Sequence, residues 1–111
     1  MAYDEDLAGR IRELIGDEPG VTEQKMFGGL AFLVGGNMAV AASGQGGILV
    51  HVAPDESDDL VARTDAELME MRGRSMRGWL RVDGEHLGGD AELARWVELG
   101  ASHARSLPAK S

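Results

Sequence analysis

Four arginines carry the clearest chemical potential in this sequence. Arg72, Arg74, Arg77 and Arg81 fall within ten residues, 72 to 81, that contain no acid, in a chain of formal net charge -8. A guanidinium offers a rigid fork of N–H donors, which suits bidentate contact with a carboxylate or a phosphate. If this stretch is the tip of a hairpin, it forms a cationic prong on an acidic protein, fit to hold an anion or a partner surface. The internal alternative is pairing with Asp55, Glu56, Asp58 and Asp59, because protein surfaces normally intersperse both signs. Met69, Met71 and Met76 flank the prong, with Trp79 beside it. Methionine adapts to varied partners, but it also fills cores in a protein short of aromatics.

The remaining patterns exclude more chemistry than they suggest. The chain has no cysteine, which removes disulfides, thiolate catalysis and cysteine-type zinc sites. Gly28-Gly29 is not followed by Lys-Ser or Lys-Thr, so it is no phosphate loop. It reads as a bulge or a close backbone approach where only glycine fits. Gly44-Gln45-Gly46-Gly47 has strand-type runs on both sides, whereas a dinucleotide fingerprint needs a helix after it. His51, His86 and His103 fall on a strand, in a loop and on the last helix, without the paired-histidine spacing of a helical zinc site. Asp83-Gly84-Glu85-His86 groups ligand-type side chains and reads as a solvated turn. The carboxylates crowd into Asp55, Glu56, Asp58, Asp59, Asp65, Glu67 and Glu70, the pattern of a solvated face. Ser43 lacks a nucleophile-elbow context. The expectation is a protein that is not an enzyme, with no catalytic residues, no metal and no cofactor.

The elements that must position these residues follow from periodicity. Leu7, Ile11, Leu14 and Ile15 share one helical face between Asp4 and Ile15, with acids in the first turn where the helix dipole favours them. After Pro19-Gly20 the pattern becomes short apolar runs cut by glycine: Thr22 to Met26, Leu30 to Val34, Met38 to Ala42 and Ile48 to Val52. These predict an antiparallel meander. Pro54 opens a short helix over about Asp55 to Ala62. Leu68 to Met71 and Trp79 to Val82 predict a second hairpin, joined by a connection from Arg72 to Gly78. A last helix starts at Asp90 as N-cap and buries Leu93, Val97, Ala101 and Ala104, with Trp96 beside the stripe. At 111 residues one domain is the natural count. The fold class is α+β: a two-layer domain with an antiparallel sheet and its helices on one face.

Two segments resemble the TfoX N-terminal domain family. They are Lys25-Met26-Phe27-Gly28-Gly29-Leu30-Ala31-Phe32 and Gly73-Arg74-Ser75-Met76-Arg77-Gly78-Trp79-Leu80. Trp96-Val97 and Ala104-Arg105-Ser106-Leu107-Pro108 match its usual ending. The resemblance makes Met26, Phe27, Gly28, Gly29, Gly78 and Trp79 structural landmarks. It implies a helix, three strands, a helix, two strands and a helix, an α-β3-α-β2-α order similar to the type III secretion chaperone fold. The family's namesake regulates natural competence and acts with a transcription activator rather than as an enzyme. That namesake carries a second, C-terminal domain; a stand-alone N-terminal domain is expected here.

Together these readings lead to a protein-interaction module, with a small-ligand or anion-binding domain as the alternative. A protein partner is expected, a homodimer stays open, and a membrane partner is not expected because no apolar run approaches spanning length. The acidic N-terminus lacks the layout of a secretory signal, and the missing cysteines suit a reducing cytoplasm. Direct nucleic-acid binding is not expected, since a net charge of -8 repels a polyanion over most of the surface. A mobility-shift titration at micromolar protein and near-physiological salt should therefore show no complex with duplex DNA. Tight binding that survives competitor DNA would refute this.

Overall fold

The computed structural model describes residues 4–26, 28–44, 46–71 and 73–108, with the backbone alone at Met26 and Met71. Helix α1 spans Glu5–Ile15, and Asp4 caps it by accepting a hydrogen bond from the Leu7 amide at 3.1 Å. Leu7, Ala8, Ile11 and Ile15 are buried, whereas Leu14 is 42% exposed. The buried face is centred between Ile11 and Ile15, so Leu14 falls at its margin and Ala8 takes the position expected of it.

Four strands follow: β1 Val21–Met26, β2 Gly29–Val34, β3 Asn37–Ala42 and β4 Ile48–His51. Each pairs antiparallel with the next. The three-strand order implied by the family resemblance is thus corrected to four, as the separate apolar runs suggest. The division falls at the paired glycines. Met26 pairs with Gly29, leaving two residues for the turn, and Gly28 adopts φ +72, a left-handed conformation that glycine takes without a Cβ penalty. A Cβ on Gly29 would collide with the Ala42 carbonyl oxygen. One glycine turns the chain and the other lets two backbones approach. Phe27, just before Gly28, lies outside the described residues.

Helix α2, Pro54–Arg63, leads to the hairpin of β5, Glu67–Met71, and β6, Arg74–Val82. A 3-10 turn, Gly84–His86, precedes α3, Asp90–Ser106. Gly89 rather than Asp90 is the N-cap, and Asp90 instead pairs with Arg10 at 3.1 Å. The sheet order is β1-β2-β3-β4-β6-β5, so β6 inserts beside β4 and leaves β1 and β5 as the edges.

All three helices lie against one face of this sheet. Phe32, Val40, Ile48, Val50, Leu80 and Val82 from the strands form one core with Ile11, Leu60, Leu93, Trp96 and Val97 from the helices. The other face carries a second cluster, Ala31, Leu33, Met38, Ala41 and Leu49, to which no described helical residue contributes. Arg12 ties α1 to the sheet edge, its Nε donating to Glu23 at 2.6 Å and its Nη2 at 3.0 Å. That guanidinium holds the Glu23 carboxyl below the usual carboxylate range. Among the described residues, no helix is long and apolar enough to cross a membrane.

Helix α3 approaches the sheet closely at Gly100. A Cβ there would collide with the carbonyl oxygen of Ala39. Ala39 is the extra residue of a β-bulge, since Phe32 pairs with Val40 and Leu33 already with Met38. Helix propensity alone would favour alanine at position 100 by about 1 kcal/mol. Overpacking should win, and Gly100→Ala should lower stability by about 1–3 kcal/mol in urea unfolding. A more stable variant would show that helix and bulge have room to part.

Candidate interaction surface

β6 organises the surface on which the arginines sit. Met71 pairs with Arg74, so the connection between β5 and β6 is residues 72 and 73, not the span from Arg72 to Gly78 that the sequence suggests. Arg74, Ser75 and Met76 extend β6 beyond the core and pair with Met71, Glu70 and Met69. Having no core beneath them, these positions carry no apolar alternation, and their polarity imitates a loop. Arg72 lies outside the described residues, and Gly73 turns the chain at φ +78. The described arginines, Arg74, Arg77 and Arg81, are therefore strand residues spread along one element rather than clustered on a projecting loop.

A bulge then bends β6. Leu68 pairs with Leu80 but Met69 with Met76, so Arg77, Gly78 and Trp79 stand opposite no residue of β5. Gly78 takes φ +91, donates its amide to Ser57 Oγ at 3.0 Å and accepts from the Val52 amide at 2.8 Å. Ser57 is fully buried in the first turns of α2 and donates its own hydroxyl to the Pro54 carbonyl at 2.7 Å. The bulge is thus anchored to α2 by backbone and hydroxyl groups.

The arginines have separate environments. Arg77 reaches across to α2 and pairs with Asp58 at 2.8 Å, both side chains 57% exposed. This is the internal pairing with the acidic helix. Arg81 donates to Ser43 Oγ at 3.3 Å and lies 3.6 Å from Asp83. Arg74 is exposed near the hairpin tip and makes no ion pair among the described residues. Strand alternation correctly separates Trp79 and Arg81 from Leu80 and Val82, which enter the main core. His51 stacks on Trp79 with ring centroids 4.1 Å apart and 13° between the planes. His103 of α3 meets His51 edge-on at 4.7 Å, and the Met38 carbonyl accepts from His51 Nδ1 at 3.2 Å. No local spacing in the sequence joins these three rings; strand pairing and the end of α3 bring them together.

Beside Arg81 a groove of about 620 Å³ opens, lined in part by Ser43, Leu49, Glu67, Met69, Ser75 and Arg81. Met69 packs against the second cluster, so it serves the core as well as the groove wall. A smaller cleft of about 220 Å³ lies between α2 and α3, with Arg63, Asp65, His86, Arg95 and Trp96 among its walls. His86 approaches Asp65 at 3.4 Å from the exposed 3-10 turn. Among the described residues, no three metal-ligating side chains converge.

Ser57 and Asp58 are neighbours on α2 with unequal expected effects. Ser57→Ala leaves the Gly78 amide buried without a partner and should cost about 1–3 kcal/mol. Asp58→Ala removes an exposed ion pair and should cost about 0–1 kcal/mol. Thermal melts of the two variants would show the reverse order if the ion pair, not the hydroxyl, held β6 to the helix.

The landmarks that the sequence singled out now have places: Gly28 and Gly29 at the first hairpin, Gly78 in the β6 bulge, Trp79 on the face of the second cluster. Among curated proteins and among solved structures, nothing matches this chain. The family model of the TfoX N-terminal domain matches residues 13–104. That span runs from the end of α1 through all six strands into α3, and the chain belongs to the TfoX N-terminal domain family.

Proposed function

We propose that this domain is a non-enzymatic protein-interaction module that acts in the cytoplasm, in transcription regulation. The arginine-bearing length of β6 and the sheet face of the second cluster beside it form its contact surface. The observation that carries this reading is the contrast between Arg77, engaged by Asp58, and Arg74, exposed near the hairpin tip without an ion pair among the described residues. An exposed guanidinium near the end of a strand offers a planar fork of donors to a carboxylate on a partner. Family membership supports the link to transcription by analogy alone, since function belongs to sites rather than folds. The lack of cysteine suits a reducing compartment.

A second reading is favoured by the groove beside Arg81, where a guanidinium and the Ser43 hydroxyl stand together on one wall. There the domain would bind a small anion instead of a protein.

Two measurements separate these readings. Changing Arg72, Arg74 and Arg77 together to Ser should leave melting within a few degrees, because exposed ion pairs contribute about 0–1 kcal/mol each. The same change should abolish affinity capture of the partner protein that the wild type retains. Capture that persists would remove these arginines from the contact surface. A rise in melting temperature with phosphate or a dicarboxylate, lost in Arg81→Gln and unaccompanied by protein capture, would favour the anion site.

A further inference from the structure

The two edges of the sheet are built differently. β5 carries Glu67 and Glu70 with no base, and its register breaks between Leu68 and Met69. Like charges and bulges are ways in which edge strands resist pairing with another chain. β1 lacks both features. Its six residues pair with β2 in an unbroken register from Val21–Val34 to Met26–Gly29. Its outer side bonds no other strand of the sheet, and Thr22, Glu23, Gln24 and Lys25 are all exposed.

The charges of β1 are also self-complementary. Glu23 and Lys25 lie opposite Phe32 and Leu30, both members of the main core, so the two side chains share the helix-bearing face. Gln24 stands between them on the other face. When two such strands pair antiparallel about Gln24, residue 23 of each faces residue 25 of the other, and Thr22 faces Met26. Directly opposed residues share a face with Cβ atoms about 5 Å apart. Two Glu–Lys contacts form at once, symmetrically, as a two-fold interface requires. Lys25 has no ion pair of its own among the described residues, whereas Glu23 is already oriented by Arg12. The lysine of a second copy would complete an Arg12–Glu23–Lys25 chain.

We propose that β1 is a homotypic docking edge, through which two copies of this chain join antiparallel about Gln24 and continue one sheet across the pair. The occupant is a second copy because charge, register and symmetry fit it together. An interface of one short strand per subunit is small, so the association is weak and depends on concentration.

Sedimentation velocity of the whole chain, from about 10 µM to about 1 mM, is the measurement. The wild type should pass from monomer to dimer across that range. Lys25→Glu places glutamates opposite glutamates at both contacts and should weaken association about tenfold or more. Glu23→Lys places lysines opposite lysines and should do the same. The two variants mixed together restore both opposite-charge contacts and should associate as a heterodimer, although neither does so alone. Melting curves of each variant establish that it is folded before it is mixed. A wild type that stays monomeric to about 1 mM would overturn the proposal and leave Lys25 as an edge-protecting charge. A dimer indifferent to both substitutions, or a mixture that stays monomeric, would overturn it equally.

Discussion

The fold depends on the meeting of two backbones where α3 crosses the sheet. The chain is only 5% aromatic, so few large side chains can span a wide gap between layers. The layers must come close, and Gly100 lets them do so against the bulged Ala39. Close-packed interiors tolerate little excess volume at such a point. Leu93, Val97, Ala101 and Ala104 then bury along the helix as a consequence of where that contact sets it. The end of the helix is fixed in turn, with the Pro108 carbonyl accepting from Asn37 Nδ2 at 2.9 Å and Arg105 gripping Glu18 through two contacts of 2.9 Å.

The second anchorage, between α2 and β6, is of a different kind. It uses hydrogen bonds to main-chain atoms, which depend little on the identity of the surface residues around them. Ser57 and Gly78 hold the bend of the strand, so Arg77 and Trp79 beside it ride on an anchored backbone. This separates the part of β6 that must stay constant from the part free to vary with a partner. The surface residues are thereby presented by a rigid scaffold rather than by a loop.

What the sequence revealed depended on whether a core lay beneath each segment. β2, β3 and β4 were legible because each presents apolar residues to the helix layer, and β1 because Pro19-Gly20 and Gly28-Gly29 bound it. α3 was legible through its stripe at period 3.6. The outer half of β6 was not, because Arg74, Ser75 and Met76 extend past the core and have no reason to alternate. Gly73 and Gly78, which suggest one long loop, mark instead a two-residue turn and a bulge. The side taken by Trp79 and Arg81 followed from strand alternation. Their partners could not follow, since His51 and His103 reach Trp79 only through tertiary structure. The pairing of Arg77 with the acidic helix was one of two open readings, and the charges of residues 55–59 were sufficient to name it.

The insertion of β6 between β4 and β5 also bears on how the chain is made. β1 to β4 join neighbours in sequence and can pair through short turns, which are quick to close. β4 gains its second neighbour only after α2 and the whole β5–β6 hairpin have been synthesised and folded back. During that interval a nascent chain presents Ile48, Leu49 and Val50 along an unpaired edge. An apolar edge of that type is where newly made chains aggregate. The β5–β6 hairpin is thus the part of the sheet completed last along the chain, and its pairing with β4 covers that edge.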